Sequence, residues 1–333
     1  MPWLHKTCLF VIILVSTGLP QVEFVGKNRQ IDVMIHGNLF TSYRFADDQP
    51  KPLLVPVQTP SGIQINRRYP LTQIAGGSED HPHHIGLFFA VDRVNGTNFW
   101  KNSTLSPQIK HVSIDEVEGG RVKGIISAAS EWVDEKGVPV LGENRTMIFS
   151  GDDSANRLDI TVTLTALEPE VVFQDIEEGM FAIRLADALR ESGSKVIPPP
   201  GSPLPRESVE GTGQYMTSNG DVGASEGWGK RARWVALHGI KDGKIVGAAI
   251  LNHPESINYP TYWHIRGYGL FSANPLGQGD FQRQSPYKKN PVLPLNLTLA
   301  RGQSITFRFL VIVFEGRRTA DDFESLFKDY VQH

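Results

Sequence analysis

Residues 110–167 read KHVSIDEVEGGRVKGIISAASEWVDEKGVPVLGENRTMIFSGDDSANRLDITVTLTAL. Apolar and polar side chains alternate from Lys110 to Glu118, the chain turns at Gly119-Gly120, and Arg121 to Val133 runs back. A second turn at Lys136-Gly137 follows, then Thr146 to Ser150 and Arg157 to Leu167 around a loop at 151–156. Successive side chains of a strand point to opposite faces, so a period of two marks a strand with one buried face. Strands roughly 8 to 12 residues apart, with Gly, Asn and Asp between them, predict an antiparallel sandwich or barrel.

The same texture extends in both directions. Upstream, Gln30 to Ile35 and Leu53 to Val57 are short β-branched runs bounded by turn residues. Downstream, Glu177 to Arg184 is a strand opened by two acids, and Arg231 to Leu251 is a hairpin closed at Asp242-Gly243. Asn252 to Gly279, with prolines at 254, 260 and 275, reads mainly as loop; Leu293 to Leu299 and Ser304 to Phe314 are the last strands. Thr319 to Val331 predicts one helix, with Thr319 as N-cap, Asp321 and Asp322 in the first turn, and Phe323, Leu326, Phe327 and Tyr330 on one face. No βαβ alternation is present, which excludes a doubly wound sheet. The expected fold is all-β: an antiparallel β-sandwich with one C-terminal helix, a single domain over 21–333. At about 191–230, which contains Pro198-Pro199-Pro200, periodicity is lost; because the β texture then resumes, this reads as a long loop insertion.

Composition narrows the function classes. The chain has 333 residues, 40% hydrophobic and 21% charged, with a formal charge of −3. That balance carries no basic footprint, so no nucleic-acid partner is expected. Residues 1–20 contain Lys6 and the apolar run Cys8 to Val15, too short for the roughly 20 residues of a membrane span and fitting a signal peptide. No transmembrane segment follows it, and a secreted or periplasmic protein is expected. The one cysteine, Cys8, leaves with that leader, which removes thiolate catalysis and Cys-ligated zinc from the mature chain.

Chemistry concentrates in two stretches. Glu79-Asp80-His81-Pro82-His83-His84 places two acids and three imidazoles in six residues directly before the apolar run Ile85 to Val91. In an extended segment His81 and His83 face one side and His84 the other. Such groups serve as general acid and base, or hold a transition metal, or cap turns and bond backbone; no cofactor is otherwise predicted. The second stretch gathers Asn252, His253, Tyr262, Trp263, His264, Arg266, Tyr268 and Asn274. Aromatic faces beside donors and acceptors suit a sugar ring, and an arginine adds a fork for an oxyanion. In a strand Glu177 and Glu178 face opposite ways, so at most one joins any single site. Trp228, Arg231, Arg233 and Trp234 read as a cationic and an aromatic surface face.

The blocks RRYPLTQIAGGSEDHPHHIGLFFAVDRVNGTNFW, EEGMFAIRLAD, WGKRARWVALHG and NHPESINYPTYWHIRGYGLFSANPLG together resemble a family catalogued as PmoA-like, "methane oxygenase PmoA". The resemblance runs from about Arg67 to Phe281. One departure is Gly267, where the resemblance leads to an acidic residue. It implies an exported bacterial protein with a galactose-mutarotase-like supersandwich, whose concave sheet binds a sugar between imidazoles and a carboxylate. The implied catalytic residues are His81, His83, His84, Glu178, His264 and Arg266. Glu79, Asp80, Asn252, His253, Tyr262, Trp263, Tyr268 and Asn274 are then the substrate-binding candidates. The expected function is a carbohydrate-active enzyme (hydrolase, lyase or epimerase). The rival readings are a non-catalytic carbohydrate-binding protein and the metal-dependent oxygenase of the family designation.

Overall fold

The computed structural model describes residues 21–102, 107–194, 210–284 and 291–332. The expected leader at 1–20 lies outside them. Five strands open the described chain: β1 (Val22–Lys27), β2 (Gln30–Ile35), β3 (Asn38–Arg44), β4 (Leu53–Val57) and β5 (Leu87–Val91). The alternating stretch forms four long strands, β6 (Gln108–Glu118), β7 (Gly124–Val133), β8 (Pro139–Gly151) and β9 (Ala155–Ala166). After these come β10 (Glu170–Val172), β11 (Gly179–Arg184), β12 (Gln214–Thr217), β13 (Trp234–Lys241), β14 (Lys244–Asn252), β15 (Tyr262–Arg266), β16 (Leu270–Asn274), β17 (Thr298–Ala300) and β18 (Ser304–Glu315). Among the described residues three α-helices join them, α1 (Ala224–Gly227), α2 (Gln278–Gln284) and α3 (Ala320–Tyr330).

The architecture is an all-β antiparallel sandwich. One sheet runs β1-β2-β3-β4-β5-β11-β16-β15 and the other β12-β13-β14-β18-β9-β8-β7-β6. Burial alternates residue by residue along β7 and β9, because one face of each strand meets the opposite sheet. Between the sheets Phe89 packs against Trp132 and Phe307, and Phe181 stacks on Phe309 at 4.9 Å. Each such side chain withdrawn from water contributes about 1.5–3 kcal/mol, so this aromatic layer holds the sheets together.

The C-terminal helix forms as expected. Thr319 accepts from the Asp322 N–H and Asp322 bonds back to Thr319, while Phe323, Phe327 and Tyr330 are buried. The Trp228–Trp234 patch is not a free surface. Arg233 and Trp234 Nε1 both donate to Glu324 of α3, at 2.7 and 2.8 Å, and Arg231 lies over the Tyr262 ring. Three segments read differently in the sequence. Within 191–230, β12 pairs with β13 and α1 follows; a four-residue strand shows too few alternations to be seen, and 195–209 lies outside the described residues. Within 252–279, β15 and β16 form a hairpin, since the three prolines that suggested loop all fall outside the paired residues. Of 293–299, only the end at β17 is strand. Among the described residues no helix is long and apolar enough to cross a membrane.

Candidate active site

Neighbouring strands β5, β11, β16 and β15 build the floor of the site. Their register places Phe88 opposite Ala182, Ala182 opposite Ser272, and Ser272 opposite His264. These four share one face of the sheet, and Phe89 and Phe181 point the other way into the core. Two-residue alternation puts Arg184 and Arg266 on the same outer face.

The His-rich stretch lies over that face as a turn, not as a strand. The His84 N–H donates to the His81 carbonyl at 3.0 Å, and His81 has φ +44°. Gly86 completes the bend with φ +58°; a Cβ there would meet the Leu54 carbonyl oxygen at 2.4 Å, so no larger residue fits. Alternation therefore does not apply, and the expected split of His84 from His81 and His83 is corrected. The His81 and His84 rings stack in parallel, 5.0 Å apart and 3° from coplanar orientation, and His81 stacks on Tyr268 at 5.0 Å. His83 packs edge-on against both. His81, His84, Glu178, His264, Arg266 and Tyr268 line one pocket of about 280 Å³.

Asp80 anchors this arrangement. Its carboxylate takes Arg67 Nη1 at 2.9 Å, Arg184 Nη2 at 3.0 Å and His81 Nδ1 at 2.5 Å. Burial alone would push Asp80 up; the His81 hydrogen bond and the charges of Arg184 and Arg67 outweigh it and hold the carboxyl well below the usual range. Arg67 also donates to the Asp80 and His81 carbonyls, at 2.6 and 2.7 Å. The two guanidiniums thus hold both the backbone and the carboxylate of the turn. With Nδ1 committed to Asp80, His81 keeps its other ring nitrogen for the pocket.

His264 has both nitrogens in use. Arg266 Nε donates to its Nε2 at 2.8 Å, so Nδ1 carries the proton and donates to the Glu177 carbonyl at 3.0 Å. Burial first, and the Arg266 charge second, press His264 down to about 3, which keeps it neutral. It therefore orients Arg266, whose Nη2 reaches Glu177 at 3.1 Å and whose plane lies over Trp228. Residues 177 and 178 form a bend before β11. Both consequently reach the site, Glu177 through Arg266 and Glu178 as pocket wall. Burial and the charge of Lys51 lower His83 to about 3, and burial holds His84 well below the ordinary imidazole range. Both ring nitrogens of His84 and Nε2 of His83 are buried without a hydrogen-bond partner.

The remaining candidates separate from the pocket. Asn274 donates to the Ile176 and Glu177 carbonyls and accepts from the Leu276 N–H; it braces the bend that carries Glu178. Trp263 is buried in the core and donates to the Ala232 carbonyl. Tyr262 stacks on Phe281 and accepts from Gln282. Asn252 ends β14 in the other sheet, and His253 packs edge-on against Tyr330 of α3. Glu79 lines a different cavity, with Arg68, Tyr69 and Lys241. Beside Gly267 a carboxylate is present after all, because Glu191 Oε2 stands 2.8 Å from where its Cβ would lie.

Sequence reading missed the Arg67 and Arg184 clamp, and it missed Lys101, which binds Glu178 at 2.8 Å. It also missed Asp92. No local pattern marks these four, which reach their partners Asp80 and Glu178 only in the folded chain. The imidazoles stack instead of converging, and among the described residues no three His, Cys, Asp or Glu side chains group so as to hold a metal ion.

No protein of curated function matches this sequence. Among solved structures, a galactose mutarotase-like protein from Clostridium acetobutylicum is similar at 10% identity over 89% of this chain and 95% of its own, with a TM-score of 0.36. A protein from Escherichia coli K12 designated by inference an aldose 1-epimerase is similar at 10% identity over 89% of this chain and 99% of its own, with a TM-score of 0.34. A sequence-family model matches residues 30–328, and the chain accordingly belongs to the family described as "Family of unknown function (DUF6807)".

Proposed function

We propose that the pocket binds a sugar ring and moves a proton on it, as a hydrolase, lyase or epimerase does. The observation that carries this reading is the pocket lining, in which the stacked faces of Tyr268, His81 and His84 stand beside Glu178 and Arg266. Sugar C–H faces pack on such rings, while hydroxyls need the donors and acceptors that the rim supplies. The unpartnered nitrogens of His84 fit a ligand hydroxyl, since a buried polar atom left unpaired costs about 1–3 kcal/mol.

In this scheme His81, oriented by Asp80, and Glu178 exchange protons with the ligand, and Arg266 faces developing negative charge. His264 and Asn274 are positioning residues. His83 supports the ring stack from behind. We infer export from the leader at 1–20.

The test is a binding and turnover screen of the mature protein against mono- and oligosaccharides, oxidised (keto) sugars included. Turnover should fall about 10²–10⁴-fold in His81→Ala, with little change in melting temperature because the His81 side chain is 41% exposed. Binding without turnover in the unmodified protein would make it a carbohydrate-binding module. Neither binding nor turnover would overturn the reading.

A further inference from the structure

We propose that Asp92 and Glu178 form a carboxyl pair sharing one proton, with Glu178 presenting that proton to the pocket and Asp92 acting behind it as a positioning residue. The proposal rests on the acid–base reading above, and the sheet supplies its geometry. Val91 lies opposite Gly179 in the β5–β11 ladder, and the Asp92 N–H donates to the Glu178 carbonyl at 3.0 Å. Asp92 and Glu178 are therefore neighbours across the end of the ladder, and their carboxyls come within hydrogen-bond reach of each other. Asp92 shares the outer face of Phe88 by alternation. It is only 3% exposed, whereas Glu178 lines the pocket.

Two carboxylates this close, one of them buried, hold a shared proton to higher pH than an isolated carboxyl does. Lys101 touches the pair at Glu178 Oε2 and offsets one negative charge; a proton is left to offset the other. The further charged and titratable groups facing the pair are Arg93, next in the chain, Glu177, which is itself bound to Arg266, and His81, Arg266 and Tyr268 across the pocket from Glu178. Burial first, then the Glu178 charge and the hydrogen bond between the two carboxyls, raise Asp92 to about 6. The proton belongs to the pair and not to one member. When Glu178 gives it to a ligand oxygen, both carboxylates are left charged beside Lys101. The pair then regains its proton from water or from the product.

The experiment is a carboxyl titration of the ligand-free protein, by ¹³C resonances of Asp and Glu side chains or by the infrared band of protonated carboxyl. The unmodified protein should show one carboxyl step near pH 6, the value to which Asp92 is raised. Asp92→Asn should remove that step, and Glu178→Gln should move it to lower pH, because burial still raises Asp92 when the Glu178 charge is gone. Glu178→Gln alters a pocket-lining side chain and stays informative if Asp92→Asn does not fold. A step near pH 6 that survives both substitutions, or is missing from the unmodified protein, overturns the proposal. Because no ligand takes part, a failed sugar screen and a failed titration are separate outcomes. With a turned-over sugar in hand, Asp92→Asn should shift the basic limb of the pH–rate profile to lower pH, which a purely structural loss would not do.

Discussion

Asp80→Asn removes a single charge from between two buried guanidiniums. Arg184 is fully buried and Arg67 is 3% exposed, while the Asp80 side chain is 38% exposed. Removing one partner of a buried ion pair costs about 3–5 kcal/mol, and solvent screening of the exposed carboxylate argues for the lower end, about 3 kcal/mol. Unfolding entropy near 2.1 cal/mol/K per residue gives roughly 0.7 kcal/mol/K for a chain of this length. The melting temperature should therefore fall by about 4 °C at pH 7. The sign of the pH dependence follows from the depressed carboxyl. In the unfolded chain Asp80 titrates near its ordinary 3.8, and in the folded protein well below. Its contribution is therefore complete above about pH 4 and is lost as pH falls toward the folded value. Scanning calorimetry from pH 7 down to pH 3 should show the gap between the two proteins constant above pH 4 and narrowing below it. Equal melting temperatures at pH 7, or a gap that ignores acid, would refute the reasoning.

His264→Ala strips partners from Arg266 Nε and the Glu177 carbonyl and opens a cavity, at about 3–5 kcal/mol in total; thermal unfolding should register a drop of several degrees, and an unchanged midpoint would return His264 to the free catalytic groups. Lys51, whose ammonium donates to the Phe99 and Trp100 carbonyls, is lowered by burial to about 7. Between that value and its unfolded 10.5 the unfolded chain binds more protons, so stability should rise with pH above about 7 by at most ~1.4 kcal/mol per unit. Denaturant titrations at pH 7 and pH 9 should show that rise in the unmodified protein and lose it in Lys51→Met.

Strand alternation over 108–166, the Asp242-Gly243 turn and the capped helix at 319–331 are all local properties, and the folded chain keeps them. Each depends on side-chain periodicity or on turn and cap chemistry within a few residues, which the order of amino acids states directly. The pocket has another origin. The His-Pro-His-His stretch could be recognised as dense in chemistry, but not as a turn that stacks His81 on His84, because a bend breaks the two-residue rule used to read it. Nothing near Asp92 in the chain marks it as the neighbour of Glu178. They meet because β5 and β11, far apart in sequence, pair in one particular register. His264 is similarly a free imidazole in the sequence and a fully bonded one in the fold. By itself, then, the sequence determined the strand texture, the sandwich class and the two stretches from which a site could be made. Only the tertiary structure decided which side chains share the pocket and which are bound away, since register, burial and hydrogen-bond partners are set between distant segments.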